Sequence, residues 1–368
     1  MTEEKNKLTR RQILAGGVAM AALGAFDLPP ILFGPGSMRA AAAEKGILFG
    51  SAFSTIYMSD EAYTREFASQ CGVLVPEVEL KWAALRPSPE TFDFTRGDTL
   101  YDFASANNIL FRGHTLVWEN ALPSWFNAYV TARNAEQLMT NHILSVVRHY
   151  AGKVTSWDVV NEGVQVQDGR ADGLKVSSWL QHIGPEYIEL AFRTAHQADP
   201  KATLIYNENW IEPDDSDSEK RRRAVLALLT NLRKRNVPVH GLGIQSHIFA
   251  EANVTGPNFR QFLKEIEDLG LSILITEMDV RDQHLPADIH TRDQLVAEQY
   301  RNYLSFLLQF RSVRTIVTWG LSDRYTWLST HNKRADNLPV RPLPYDFELK
   351  PTAAWQAIQT ALEQASTR

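Results

Sequence analysis

From Leu48 onward, short apolar runs rich in β-branched residues recur along the chain, each closed by a cluster of polar positions. Eight of them stand out: Leu48–Ser54, Val73–Val78, Ile109–Val117, Val154–Asn161, Ala202–Asn207, Gly241–His247, Ser272–Met278 and Arg314–Gly320. Runs of this length bounded by turn residues read as buried strands. Between them the apolar spacing changes to that of a helix. Asn134 and Gln137 cap a run that places Met139, Ile143, Val146, Val147 and Tyr150 on one face. A second run carries Ile188, Ala191, Phe192 and Ala195; a third carries Phe262, Ile266 and Leu269 and is stopped by Gly270, a residue that ends helices at low cost. Ser216-Asp217-Ser218-Glu219 has the form of a capping box ahead of Val225, Leu228, Leu229 and Leu232, so the basic run Lys220–Arg223 reads as a solvated helix face. Strand and helix alternating in this way predict an α/β fold, a single (β/α)8 TIM barrel with enlarged βα loops. A doubly wound open sheet would need a phosphate-cradling glycine loop after its first strand. Gly50-Ser51-Ala52-Phe53 is no such loop.

In such a barrel, functional side chains collect at the C-terminal ends of the strands. The polar clusters do lie there. Strand two is followed by Glu77, Glu79, Lys81 and Trp82, and strand three by His114 and Trp118. Asn161 and Glu162 close strand four, and Asn207, Glu208, Asn209 and Trp210 follow strand five. Gln245 and His247, Glu277 and Asp279, and Trp319 and Asp323 belong to the last three. Two of these stretches, Trp157–Glu162 and Ile275–Asp279, are β-branched strands ending in a carboxylate. In a parallel barrel Glu162 and Glu277 meet at the mouth, and two facing carboxylates are the minimum apparatus for breaking a glycosidic bond. A covalent mechanism needs one of them protonated and the other ionised, so their surroundings must differ. Glu277 is expected to be held ionised, with His247 as its hydrogen-bond partner and Asp279 fixing the imidazole. Glu162, beside a second carboxylate in an aromatic-lined cleft, is expected to carry the proton. Trp118, Trp319 and Trp327 are candidates for sugar-facing platforms, whereas Trp157 and Trp355 read as core.

The 368 residues carry a formal charge of −5, which gives no reason to expect nucleic-acid binding. No zinc-binding helical pair and no Gly-x-Ser-x-Gly elbow occur, so neither a metal nor a serine esterase is called for. No cofactor is expected. Cys71 is the one cysteine; it allows no intrachain disulfide and reads as a small buried hydrophobe. Thr9-Arg10-Arg11-Gln12 stands ahead of an apolar stretch from Ile13 to Phe26, too short for a membrane span. It resembles a twin-arginine export signal, with Ala41-Ala42-Ala43 as small residues for cleavage. The expected organisation is therefore an export signal over 1–43 and a catalytic barrel over 44–368, with the mature protein periplasmic or secreted.

At the strand-end residues the chain resembles a family 10 glycoside hydrolase, the endo-β-1,4-xylanase family, from about Gly46 to Ile358. The resemblance is carried by Glu77–Trp82, Gly113–Trp118, Trp157–Glu162, Ile183–Arg193, Gly243–His247, Ile275–Asp279 and Thr318-Trp319-Gly320. It implies that Glu162 is the acid/base, Glu277 the nucleophile and Asn161 the residue that holds a sugar 2-hydroxyl. Glu77, Lys81, His114, Trp118, Gln245, His247, Trp319 and Trp327 match positions that line the sugar subsites. The implied protein is an exported, retaining endo-1,4-β-xylanase acting on xylan and xylo-oligosaccharides, expected to be a monomer that needs no membrane once its signal is removed. Two positions depart from the family pattern. Val78 stands where Asn is usual, and Asn207-Glu208-Asn209-Trp210 replaces an acidic residue followed by Tyr. A β-1,4-glucanase or a xylo-oligosaccharide-preferring hydrolase of the same superfamily shares the glutamate pair and stays open; so does a non-catalytic carbohydrate-binding barrel.

Overall fold

The computed structural model describes residues 36–368. Nine parallel strands form: β1 (Leu48–Phe53), β2 (Val73–Pro76), β3 (Leu110–Val117), β4 (Val154–Asn161), β5 (Thr203–Glu208), β6 (Gly241–Ile244), β7 (His247–Phe249), β8 (Ser272–Arg281) and β9 (Val313–Thr318). Neighbours run in the order β6-β5-β4-β3-β2-β1-β9-β8, and a β6–β8 pairing closes the ring. The result is the expected (β/α)8 barrel, whose eight wall strands exclude only β7. Nearly every strand residue is buried, because the inner face fills the barrel and the outer face meets the helices. Gly113 shows how tightly: a Cβ there would stand 2.1 Å from the Trp157 ring. Trp157 accordingly lies in the core.

Three local readings change. The expected single strand Gly241–His247 is broken at Gln245 and Ser246, where Ser246 takes a left-handed φ of 63° and gives its N–H to Glu212 at 2.7 Å. After that turn His247 pairs with Asp279 on β8, which carries the imidazole toward the cleft. The helix Ala135–His149 begins after Asn134, whose side chain turns back to the Thr131 N–H at 2.7 Å rather than capping the helix. The helix Ser216–Lys234 is capped by Asp215, which accepts from the Asp217 and Ser218 amides, not by Ser216.

The basic run on that last helix is not a solvated face throughout. Lys220 and Arg223 are exposed, but Arg221 and Arg222 are 5% and 1% exposed. Arg222 donates to the carbonyls of Ile211 and Pro213 at 2.8 and 2.7 Å. Arg221 reaches the Val164 carbonyl and Gln165 Oε1 and stands 3.5 Å from Glu208. A buried guanidinium needs acceptors for its donors, and loop carbonyls after β4 and β5, with the Gln165 and Glu219 side chains, supply most of them here, Arg222 Nη2 excepted. Charge spacing in the sequence carries no sign of those carbonyls.

The folded body also reaches back before residue 44. Ser37 caps a helix, Met38–Glu44, by accepting from the Ala40 amide, and Met38, Ala41 and Ala42 are buried on it. Arg39 binds the carbonyls of Ala68 and Asn108 at 2.7 and 2.9 Å. The paired arginines of the export reading lie outside the described residues. Among the described residues no helix is long and apolar enough to cross a membrane, and no group of three His, Cys, Asp or Glu could hold a metal ion.

Candidate active site

Strand register brings the polar ends together. Asn161 of β4 stands opposite Asn207 of β5, which stands opposite Gly243 of β6. A Cβ on Gly243 would meet Asn207 Oδ1 at 2.2 Å, so the absence of a side chain there is what admits the Asn207 amide. That amide donates to Asn161 Oδ1 at 2.9 Å and to Glu277 Oε1 at 2.8 Å, while Thr276 Oγ1 donates to its oxygen at 2.7 Å. On the other side Gln245 Nε2 donates to Asn161 Oδ1 at 3.2 Å and to Glu162 Oε1 at 3.0 Å. An unbroken chain of side-chain hydrogen bonds therefore joins the two glutamates. Glu162 itself lies one residue past β4 in a left-handed conformation, φ 53°, with its N–H on the Asn207 carbonyl at 2.9 Å.

Glu277 is ringed by basic side chains. His247 Nε2 is 3.3 Å from its Oε2, and His247 Nδ1 is 2.9 Å from Asp279 Oδ2, an oxygen that also accepts from Trp327 Nε1 at 2.8 Å. His114 Nδ1 lies 4.0 Å from Glu277 Oε1 and 2.9 Å from Asp158, which Arg112 holds bidentately. Burial alone would push the Glu277 carboxyl up; His114, His247 and Lys81 outweigh it and bring it down to about 2. Burial would likewise drive the His247 imidazole down, but Asp279 and Glu277 raise it to about 10. The pair is an ion pair across the usual range of pH.

Lys81 lies over the faces of Trp118 and Trp319, 4.8 and 5.6 Å from their centres. Its burial lowers its pKa, opposed by Glu277, Glu77, Glu162 and Glu79. Glu77 accepts the Tyr57 hydroxyl at 2.8 Å, and burial is the largest influence raising its carboxyl. Val78 beside it is 37% exposed. Trp319 closes the floor against His114 and His247, with ring centres 5.4 and 6.3 Å away.

Glu162 has a different environment. Its Oε2 accepts from Trp118 Nε1 at 2.9 Å and Asn120 Nδ2 at 3.3 Å, and Lys175 Nζ stands 3.8 Å away. On the side away from Glu277 the cleft continues over Gln165, Gln167, Asn209 and Trp210. Trp210 is 40% exposed, in a left-handed backbone of φ 53°, and rests on Arg281, whose guanidinium is 5.3 Å from Trp210, Phe249 and Trp327 alike. Glu208 is buried beneath, pushed up to about 7 by desolvation despite Arg221 and Tyr206.

All twelve sequence candidates thus meet at one mouth. Asn207, Asp158, Asn120 and Lys175 join them without having been singled out. Asp158 could have been read from its place in Trp157–Glu162, and Asn207 from its strand end; Lys175 could not. It arrives because the segment after β4 folds back, with Val164 bridged to Leu174 and the Lys175 amide on the Gly163 carbonyl at 2.9 Å. Chemically, one carboxylate held ionised and a second surrounded by neutral donors and one cation fit the two roles of glycoside cleavage.

Known proteins share this arrangement of chain. The sequence profile of Glycosyl hydrolase family 10 matches residues 37–361. The chain is 36% identical to a β-1,4-xylanase of Dictyoglomus thermophilum, over 83% of this chain and 85% of that one. It is 33% identical to endo-1,4-β-xylanase B of Thermotoga neapolitana, over 83% and 84%. Xylanase 10B of Thermotoga petrophila RKU-1, solved with xylobiose, superposes with a TM-score of 0.82 at 33% identity, covering 91% of this chain and 99% of that one.

Proposed function

The chain belongs to glycosyl hydrolase family 10, and from that premise we propose that it is a retaining endo-1,4-β-xylanase, with Glu277 as nucleophile and Glu162 as acid/base. The observation that carries the assignment of roles is the ring of basic side chains that holds Glu277 ionised, set against the three neutral donors and single lysine around Glu162. Glu277 attacks the anomeric carbon while Glu162 gives its proton to the departing glycosidic oxygen. The covalent ester removes the charge from Glu277. Glu162, now a carboxylate, takes a proton from the water that attacks the anomeric carbon and releases Glu277. Asn161 Oδ1 already accepts from Asn207 and Gln245, which leaves its amide nitrogen free to donate to the sugar 2-hydroxyl. Trp319, Trp327 and Trp118 offer ring faces to the sugars, and Glu77, Lys81 and Gln245 offer polar groups to their hydroxyls. We extend the proposal to export through the Arg10-Arg11 signal, with cleavage ahead of Ser37, because a cut within Ala41–Ala43 would divide a buried helix.

The test is product release from arabinoxylan, soluble β-glucan and a xylo-oligosaccharide series by the wild type, Glu277→Ala and Glu162→Gln. Internal cleavage of xylan that Glu277→Ala abolishes, with the β-anomer as first product by NMR, is expected. Cleavage of β-glucan alone would overturn the substrate, and an α-anomer first product would overturn the nucleophile.

A further inference from the structure

Lys175 is the cation nearest to Glu162. Its Nζ is 3.8 Å from Oε2 and is steered by a hydrogen bond of 3.2 Å to Asn120 Oδ1, while the same Asn120 amide donates to Glu162. The backbone fixes the rest: the turn from Gly163 to Lys175 is closed by hydrogen bonds at both ends. Its ammonium is therefore a placed charge rather than a wandering one, with a side chain only 20% exposed. It lines one pocket with Glu162, Asn120, Gln165 and Trp210, a pocket that Glu277 does not line.

Resting on the acid/base assignment above, we propose that Lys175 is a positioning residue that sets the alkaline limit of activity and keeps Glu162 competent as a base in the second half-reaction. The physical argument is charge balance. A carboxylic acid that gives up its proton in the first step becomes an anion, and a cation within 4 Å favours that anion. The same preference means the acid form is lost at lower pH than it would be without the lysine. In the glycosyl-enzyme, Glu277 is neutral and its opposing charge is gone; Lys175 then holds Glu162 ionised, ready to take the proton of water. The other charges facing Glu162 are Lys81 from the β2 end, Glu277 from β8 and Glu208 from β5, the last paired with Arg221. Lys81 is shared with Glu277, Glu77 and Glu79, and the two carboxylates act in the opposite sense, so among the described residues Lys175 is the cation committed to Glu162.

The experiment is the pH profile of kcat/KM on xylotetraose for wild type, Lys175→Met and Lys175→Arg. Lys175→Met is expected to move the alkaline limb up by about one pH unit, with Lys175→Arg near wild type. With an aryl xylobioside of good leaving group, where the second step limits kcat, Lys175→Met should also move the acid limb of kcat upward. Lys175→Gln repeats both measurements should the methionine variant not fold. An alkaline limb that stays in place when the charge is removed, with activity lowered evenly at every pH, overturns the proposal and leaves Lys175 a structural residue. A wild-type alkaline limb that survives Glu162→Gln would instead sink the acid/base assignment itself.

Discussion

Replacing His247 by Asn removes one charge from the ring around Glu277 and so measures what that ring does. The Glu277 carboxyl is held at about 2 against an ordinary 4.5, a difference worth roughly 3 kcal/mol. Burial works against that figure, since Glu277 is 5% exposed and desolvation disfavours its anion. His247 contributes both a hydrogen bond and a charge; His114 and Lys81 remain. Losing one of these three basic groups with the burial cost intact should raise Glu277 by at least about one pH unit, or about 1.4 kcal/mol. With Glu277 as the proposed nucleophile, the acid limb of kcat/KM follows its ionisation in the free enzyme. It should therefore move to higher pH by that amount in His247→Asn, while the alkaline limb keeps its place. Stability supplies a second reading with its own sign. Glu277 is lowered in the fold, so its contribution is present above its unfolded value and lost as pH falls toward about 2. His247 is raised, so its contribution is full below about 6.5 and lost as pH rises through about 10. The Tm gap between wild type and His247→Asn should be widest between about pH 4.5 and 6.5 and should narrow on both sides. An acid limb unmoved in a folded variant would refute the claim that cations, not hydrogen bonding to Asn207, keep the nucleophile ionised.

Asn207→Ala leaves Asn161 Oδ1 and Glu277 Oε1 each short of a donor; kcat on xylan should fall about 10- to 100-fold, in keeping with about 1–3 kcal/mol for buried groups left unpaired, and an unchanged kcat would mean water replaces the amide. Arg221→Met strips the guanidinium from Glu208 and the Val164 carbonyl, and breaking a buried pair on one side costs about 3–5 kcal/mol. Urea unfolding measures it, and a loss below about 1 kcal/mol would return Arg221 to the solvated face its charge suggested. A chain beginning at Gly46 rather than Gly36 loses the burial of Met38, Ala41 and Ala42. It should unfold about 3 kcal/mol more easily; equal stability would allow cleavage within Ala41–Ala43.

Alternating strand and helix periods made the barrel legible, because a strand buried on both faces shows as a continuous apolar run whatever its neighbours are. The strand-end rule then found Glu162, Glu277, His247, Trp118 and Trp319, since each interrupts such a run with a polar or aromatic group at a fixed place; Trp327, well past the last strand, came only with the family resemblance. What it could not reach depends on register and loop path. Asn207 lies in a row of polar residues, and only its position opposite Asn161 and Gly243 separates it from Asn209. Ser246 breaks a strand that reads as continuous in sequence, and that break is what aims His247. Arg221 and Arg222 look like their neighbours Lys220 and Arg223 until the carbonyls of the β4 and β5 loops are in place to receive them.

The two carboxylates draw their charges from different parts of the barrel, and this has a consequence for how the enzyme can change. The basic groups around Glu277 come from β3 and the β2 end, which carry the barrel wall, and from β7, which pairs with β8 beside it, so altering them disturbs packing as well as charge. The cation committed to Glu162 comes from a hairpin after β4 that packs on the outside of the wall, held by its own backbone bonds, by Arg221 at Val164 and Gln165, and by the Lys175 contact to Asn120. Loops of that kind accept substitution at little cost to the fold. The acid limit of activity should accordingly move only with a loss of stability, as in His247→Asn, and the alkaline limit without one. A library confined to residues 165–176, screened for xylan cleavage at high pH, should yield folded variants with shifted alkaline limbs and unshifted acid limbs; variants in which both limbs move together would show that the hairpin and the wall are one electrostatic unit.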